Sequence, residues 1–403
     1  MPGVLVSHPH ATPVAKEVAA AFARAGRLTA FATGVAFDAG GWSGRLATAL
    51  AGRWPTLRNR LVDPLPTGEL RAAPFVELGA RAAATLLTGV GAALKTYDAL
   101  FVAHDAELAI ARWPEATGAI YAYEDGALLT FRRAQRAGIA RIWDLPTRHH
   151  LATRELWDAE MRRWPHAIDV PPHEEPAWKL RRKDEELTLA TTVSVASRYV
   201  KTTLERLDVR APIVVTPYGF PTETFRPKPA PPTGPFTVLS VGAHDIPKGT
   251  PYLLEAWKRA AIPDAQLHLV GSMRLGKTFL DGYAGLFRHS PPMARAELET
   301  LYTAADALVF PTLGDGFGLV ISEAMCCATP VITTPNGGGP ECITDGVDGW
   351  VVPARDIDAL VEALRRIAGD RDRTAGVGRA ARARAERWTA RDAGDALVHA
   401  LDG

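Results

Sequence analysis

Short apolar runs alternate with longer stretches of helical period along most of the 403 residues, which is how parallel strands with helices on both faces read in sequence. Parallel neighbours cannot be joined by a tight turn, so each strand must be followed by a crossover, usually a helix. In the first half the runs place strands at Val4–Val6, Leu28–Ala32, Ala99–Val102, Ala119–Tyr123, Ile139–Trp143, Thr192–Val195 and Ile213–Pro217. A second series follows at Thr237–Val241, Leu267–Val270, Ala307–Phe310, Val331–Thr334 and Trp350–Val352. The clearest helix is Val14–Arg24, with Thr12 as N-cap, Pro13 at the first position and Gly26 as the stop. Val76–Leu94 is the most apolar long stretch, but Glu77 and Arg81 interrupt it. It reads as a helix packed on a sheet and falls short of a membrane span.

Between the two series, Pro221–Pro235 holds six prolines and little periodicity, which predicts a stiff exposed connection. Residues 1–220 are therefore expected to form one doubly wound domain and residues 221–389 a second. Helices are expected at Ile357–Ile367 and Arg373–Arg387, and a last one within 390–403 is expected to cross back to the first domain. Two domains make a cleft. With 46 basic and 45 acidic residues, the net charge of +1 supplies no global field for nucleic acid or an anionic membrane. Any anion has to be bound locally. The N-terminus runs into a strand pattern without the flank of a signal peptide, and Cys326, Cys327 and Cys342 cannot build a disulfide framework. Both point to the cytoplasm, with peripheral membrane contact through an amphipathic surface left open.

The chemistry concentrates in Phe310–Trp350. A strand ends near Pro311, and Gly314-Asp315-Gly316-Phe317-Gly318 feeds a helix from about Leu319 to Cys327. Glycines let the backbone approach a ligand, and a helix N-terminus offers unpaired N–H groups and partial positive charge to a phosphate. Asp315 before the helix and Glu323 about one turn into it suit hydroxyl groups. Together they suit a sugar joined to a nucleoside diphosphate. The plainer reading is a tight turn with an N-cap and a solvated acid.

Gly316-Phe317-Gly318-Leu319 and Glu323-Ala324-Met325, with Asp315 in the first acidic position, resemble the donor-site signature of the family-4 retaining glycosyltransferases. Leu239-Ser240-Val241-Gly242 with Lys248-Gly249 resembles that family's glycine loop; Tyr302–Pro311, Gly337-Gly338, Pro340-Glu341, Asp345-Gly346 and Gly349 extend the match, as do Val195–Ser197 and Pro217-Tyr218-Gly219. The resemblance implies an α/β chain of the GT-B fold, two doubly wound Rossmann-like domains facing each other across a cleft. It implies retaining transfer from a UDP- or GDP-linked sugar to a saccharide, lipid-linked or small-molecule acceptor, with neither cofactor nor metal. It would assign Lys248 to the diphosphate, Asp315 and the Gly316–Gly318 backbone to the transferred sugar, and Glu323 to the ribose. Many members carry Arg near the position of Ala243, so His244 or Arg274 is expected to stand in for it, with Gly271 also in the donor cleft. Asp356/Asp358 and Asp370/Asp372 read as surface acids without a metal.

Gly271–Thr278, GSMRLGKT, satisfies the P-loop pattern after an apolar strand. Against NTP hydrolysis stand the two glycines in Phe279–Gly285 and the lack of a later strand ending in Asp; Lys277 could still touch a phosphate. A silent sugar-nucleotide binder or an epimerase of the same fold is a third reading. On the acceptor side, open α/β sheets bind ligands at the C-terminal ends of their strands. That singles out His8, His10, His104, Glu124, Asp144 and His149; members of the resembled family often carry a His near the donor sugar after the strand equivalent to Ile139–Trp143, and the resemblance would make His149 the catalytic candidate there. For any one of these histidines, a solvated or core-bonded ring is the more ordinary reading.

Overall fold

The structure is a computed structural model, and it describes residues 2–52, 57, 60–73, 77, 90–169, 174–227 and 234–401. Most of Val76–Leu94 and residues 228–233 of the proline-rich connection lie outside the described residues. Two all-parallel sheets organise the chain. The first contains β1 (Gly3–Ser7), β2 (Leu28–Thr33), β5 (Glu69–Ala72), β6 (Thr117–Tyr123), β7 (Ala140–Leu145), β8 (Thr192–Val195) and β9 (Ile213–Val215), in the order β5-β2-β1-β6-β7-β8-β9. A separate two-stranded pair joins β3 (Phe37–Asp38) to β4 (Leu61–Val62). The second sheet contains β10 (Phe236–Val241), β11 (Ala265–Val270), β12 (Arg288–Ser290), β13 (Ala307–Phe310), β14 (Val331–Thr333) and β15 (Trp350–Val351), in the order β12-β11-β10-β13-β14-β15. In both sheets the order reverses beside the first strand, at β1/β6 and at β10/β13. Such a switch point opens a crevice at the carboxyl ends of the strands.

Buried parallel strands present side chains to helices on both faces, so their sequences are apolar throughout. Val4, Leu5 and Val6 of β1, and Ala307, Leu308 and Val309 of β13, are all fully buried. One expected strand is wrong: Ala99–Val102 lies inside the helix Val90–Ile110. Its short apolar run fits a buried helix as well as a strand, and periodicity alone does not separate the two. The strand at that edge of the sheet is instead Glu69–Ala72, which pairs on one side only, with β2, and carries charged residues.

The helix Pro13–Arg24 begins as expected, with the Thr12 hydroxyl accepting from Ala15 N at 3.2 Å. The helix Leu128–Arg136 has no capping side chain of its own. Two buried carboxylates from elsewhere satisfy its first amides. Glu186 accepts from Ala127 N and Leu128 N, each at 3.0 Å, and Asp105 from Leu129 N at 2.7 Å and Thr130 N at 2.9 Å. Arg182 pairs with both acids, so the charge is compensated where water is excluded.

The last helix, Ala390–Ala400, packs on Pro13–Arg24, burying Leu397 and Val398 in the core of the first sheet. Arg24 ties it further through Asp395 at 2.7 Å. Where the chain passes between the sheets its two crossings lie side by side. Phe220 N donates to Trp388 O at 2.9 Å, and Ala390 N donates to Phe220 O at 3.0 Å. Cys326, Cys327 and Cys342 are free and buried. No helix among the described residues is long and apolar enough to cross a membrane.

Candidate functional site

A cleft of about 1520 Å³ separates the two sheets. His8, His10, Lys16, Tyr97 and Tyr123 line it from the first lobe, and Lys248, Asp315, Phe317, Leu319 and Glu323 from the second. The loop after β13 forms its floor. That loop is held from below by backbone contacts: Leu313 N donates to Pro247 O at 2.8 Å and Asp315 N to Asn336 O at 2.9 Å. From the first lobe, Ser197 Oγ donates to Gly316 O at 2.6 Å, Arg148 donates to Gly314 O, and the Tyr199 hydroxyl lies 3.5 Å from Leu313 O. Pro146 O packs so closely on Gly316 that a Cβ there would overlap it.

The loop's carbonyls are thus taken up, while several of its amides are not. Among the described residues no acceptor is bonded to the amides of Phe317, Gly318 and Leu319. Gly318 holds a left-handed φ of 87° as N-cap of the helix Leu319–Cys326, which directs the chain into the helix immediately beside the cleft. An N-terminus with unpaired amides carries partial positive charge and favours an anion.

Two ion pairs flank this N-terminus. Lys248 Nζ pairs with Asp315 and lies 5.4 Å from the Phe310 ring centre. Glu323, only 7 % exposed, accepts from Arg295 Nη2 at 3.0 Å and from the Tyr302 hydroxyl at 2.9 Å. A carboxylate has about four acceptor positions, so Glu323 keeps capacity for a hydroxyl while held in one orientation. Arg295 also stacks over Phe225, 5.4 Å from its centre.

Of the residues singled out from sequence, the cleft brings together His8, His10, Gly242, Ala243, Lys248, Asp315, Phe317, Gly318, Leu319 and Glu323. Others lie elsewhere. His244 is buried just beyond the ends of β10 and β11, bridging to Met273, and burial lowers its pKa to about 4. Arg274 extends outward with 66 % of its side chain exposed, 3.7 Å from Asp245. Neither lines the cleft. Among the described residues Arg60 and Arg295 do, and sequence reasoning missed Arg295 because it meets Glu323 only through the tertiary fold. Gly271 packs against Gly242 O at the ends of β10 and β11, again without room for a Cβ.

His104 is buried and bonds to Ser7 Oγ at 3.1 Å. Glu124 is buried beside Lys183 at 3.4 Å, and burial raises its pKa to about 8. His149 caps the helix His150–Arg163 through Leu151 N at 3.4 Å, close to Asp184. Desolvation, and then His150, lower its pKa to about 4, so it is a neutral structural ring outside the cleft. His149, His150 and Asp184 come close enough together to hold a metal ion. The Leu151 amide already occupies His149 Nδ1, however, which leaves a proton rather than a lone pair on Nε2.

Asp144 faces a smaller cavity of about 100 Å³ behind the cleft, bounded by Tyr121, Thr216, Pro217 and the last helix. Burial raises its pKa to about 7. Between its usual value near 3.8 and about 7 the folded chain holds a proton that the unfolded chain has lost, so this group's contribution to stability falls as pH rises through that window. Asp144→Asn keeps an oxygen for the Tyr121 hydroxyl and removes the ionisation. The variant is expected to melt above the parent at pH 8 and alongside it at pH 4, as read by calorimetric scans at both pH values.

The P-loop reading does not survive. Gly276 and Lys277 are followed by a helix of five residues, Lys277–Asp281, and the Lys277 amide donates to the Asp169 carboxylate at 3.0 Å, an anion already in place. Lys277 Nζ bonds Asp281 at 2.8 Å, with its side chain 84 % exposed and outside the cleft. Lys277→Ala is expected to change nucleotide affinity less than twofold, measured by calorimetric titration with UDP and ATP.

These features define the chain as a two-lobed GT-B protein. Over its full length it is similar in fold to the sucrose-phosphate synthase of Thermosynechococcus elongatus, with a TM-score of 0.65 at 19 % identity and 98 % of that chain covered. It is similarly related to Anabaena HepE solved with UDP and glucose, with a TM-score of 0.62 at 18 % identity over the whole of both chains. Residues 221–384 match the family model for glycosyl transferases group 1. D-inositol 3-phosphate glycosyltransferases resemble the chain locally. The protein of Saccharomonospora viridis is 37 % identical over 117 residues, 29 % of this chain and 27 % of that one. The protein of Mycobacterium tuberculosis strain F11 is 37 % identical over 112 residues, 27 % of this chain and 23 % of that one. The matches thus span about a quarter of the length of these curated relatives.

Proposed function

We propose that the chain transfers a sugar from a nucleoside-diphosphate sugar to an acceptor hydroxyl, as a member of the retaining family 4. The observation that carries this reading is the set of unbonded amides at Phe317, Gly318 and Leu319, opening on the interlobe cleft between two fixed ion pairs. In this reading the amides and Lys248 take the diphosphate, Asp315 takes hydroxyls of the transferred sugar, and Glu323 takes the ribose. The solved relative with UDP and glucose makes a UDP-linked hexose the first donor to try.

In the reaction the bond from the anomeric carbon to the phosphate oxygen breaks and a bond to the acceptor oxygen forms. The acceptor proton leaves with the departing phosphate. Negative charge grows on the nucleoside diphosphate as that bond breaks, so fixed amides and an ammonium stabilise the transition state more than the ground state. These charges act without a metal ion. The three free thiols suit a reducing compartment such as the cytoplasm.

The test is titration with UDP and with uridine, with and without Mg²⁺, followed by turnover of UDP-glucose. UDP is expected to bind more tightly than uridine and independently of Mg²⁺. Glu323→Ala is expected to weaken UDP about thirtyfold, near 2 kcal/mol for a charged contact with a hydroxyl. Equal binding of UDP and uridine by the parent protein would remove the diphosphate from the assignment.

A further inference from the structure

The helix Trp42–Leu50 turns its small residues inward and its large apolar residues outward. Gly44 and Ala47, with Ala51 just past the helix end, are buried where the helix packs on the chain around β3. A Cβ at Gly44 would overlap Asp38 O, so backbone lies directly on backbone and no large side chain fits between. Trp42 is 77 % exposed, Leu46 52 % and Leu50 38 %, and their i, i+4, i+8 spacing sets them in one row along the helix. Single exposed leucines are ordinary. A row of three that includes a tryptophan keeps in water the surface that folding normally removes from it.

The charge around the row narrows what covers it. From Ala39 to Val62 the sequence holds four arginines, Arg45, Arg53, Arg58 and Arg60, and no acidic residue. Arg45 is exposed on the flank of the row, whereas Arg60 is committed to Glu77. Asp38, the acid just before the helix, accepts from Gly40 N at 3.0 Å. A second copy of the chain suits this surface poorly. Two-fold pairing would set the arginine stretch against itself, and three side chains fall well short of the roughly 800 Å² per partner that a stable interface buries.

An anionic lipid surface matches every feature. The leucines enter the acyl boundary, the tryptophan sits at the headgroup level, and the guanidinium stays among the phosphates. At nine residues the helix is of a length to lie on a bilayer and not to cross it. We propose that the face carrying Trp42, Leu46 and Leu50 docks the chain on a membrane surface rich in anionic phospholipid. From this helix the chain runs on to Leu57, Arg60 and Val62, which line the cleft, so docking here turns the cleft mouth toward the bilayer. None of the three docking residues lines the cleft, and the proposal is independent of the donor reading.

The test is co-sedimentation of the whole chain with vesicles of phosphatidylcholine and phosphatidylglycerol, and with vesicles of phosphatidylcholine alone. Binding to the mixed vesicles is expected, about tenfold tighter than to the neutral ones. Trp42→Ser/Leu46→Ser should weaken it by about tenfold or more, and Arg45→Gln by about fivefold. Both apolar side chains stand in water, so the double variant should keep the parent's melting temperature, which separates lost docking from lost fold. No sedimentation of the parent, or equal sedimentation of parent and double variant, would overturn the proposal. Self-association of the parent without vesicles, abolished in the double variant, would overturn it too by giving the row to a second copy. Vesicle binding that depends on Trp42 in a chain that fails to bind UDP would uphold the docking face and remove only the donor assignment.

Discussion

Lys248→Ala is expected to lower kcat/KM for a UDP-sugar by about a hundredfold to a thousandfold, on the order of 3–4 kcal/mol of transition-state stabilisation. Two losses add. The ammonium proposed to meet the leaving diphosphate disappears, and Asp315, its partner in the ion pair, is left as an uncompensated negative charge facing the proposed diphosphate position. Because the second loss comes through Asp315, the double variant Lys248→Ala/Asp315→Asn should recover part of the UDP affinity while turnover stays low. Steady-state kinetics with calorimetric UDP binding separates the two. Full additivity of the single changes would show that the pair is not one unit.

Gly316→Ala is the second large expectation. The added methyl would overlap Pro146 O of the first lobe, and the contact is with backbone on both sides, so the loop itself must move. Movement would break the 2.6 Å bond from Ser197 Oγ and displace the amides that follow, Phe317 to Leu319. Misplacement of about 1 Å at such a site is worth about a hundredfold in rate, and overpacking costs about 1–3 kcal/mol of stability. The variant is thus expected to lose about a hundredfold in turnover and to melt several degrees lower. Gly316→Ala with parental kinetics and melting temperature would mean that the lobes do not meet there in solution.

The same loop shows why part of the site was readable. Glycines at 316 and 318, an acid before them and an acid within the helix mark a local backbone device, and such a device is written in contiguous sequence. Its partners are not. Arg295 and Tyr302 reach Glu323 from 28 and 21 residues away, and Tyr97 reaches the cleft on a helix whose apolar run resembled a strand. Histidine positions misled for a related reason. Strand ends are where functional side chains gather, but His104 sits inside the helix Val90–Ile110, where it bonds Ser7, and His149, beyond β7, caps a helix.

The sheets followed the same division. Central strands such as Phe236–Val241 and Ala307–Phe310 are covered on both faces, and their apolar runs identify them. Edge strands Glu69–Ala72 and Arg288–Ser290 pair on one side only and carry charges or histidine, so no apolar run betrays them. Neither expected replacement for a guanidinium at Ala243 lines the cleft, since Arg274 extends outward and His244 is buried.

A crystal structure of the chain with UDP tests the central claim most directly. The β-phosphate should lie within hydrogen-bonding distance of the Gly318 or Leu319 amide and of Lys248 Nζ, with the ribose hydroxyls on Glu323. A pyrophosphate seated instead on Gly271–Thr278, or UDP lying outside the interlobe cleft, would contradict the account.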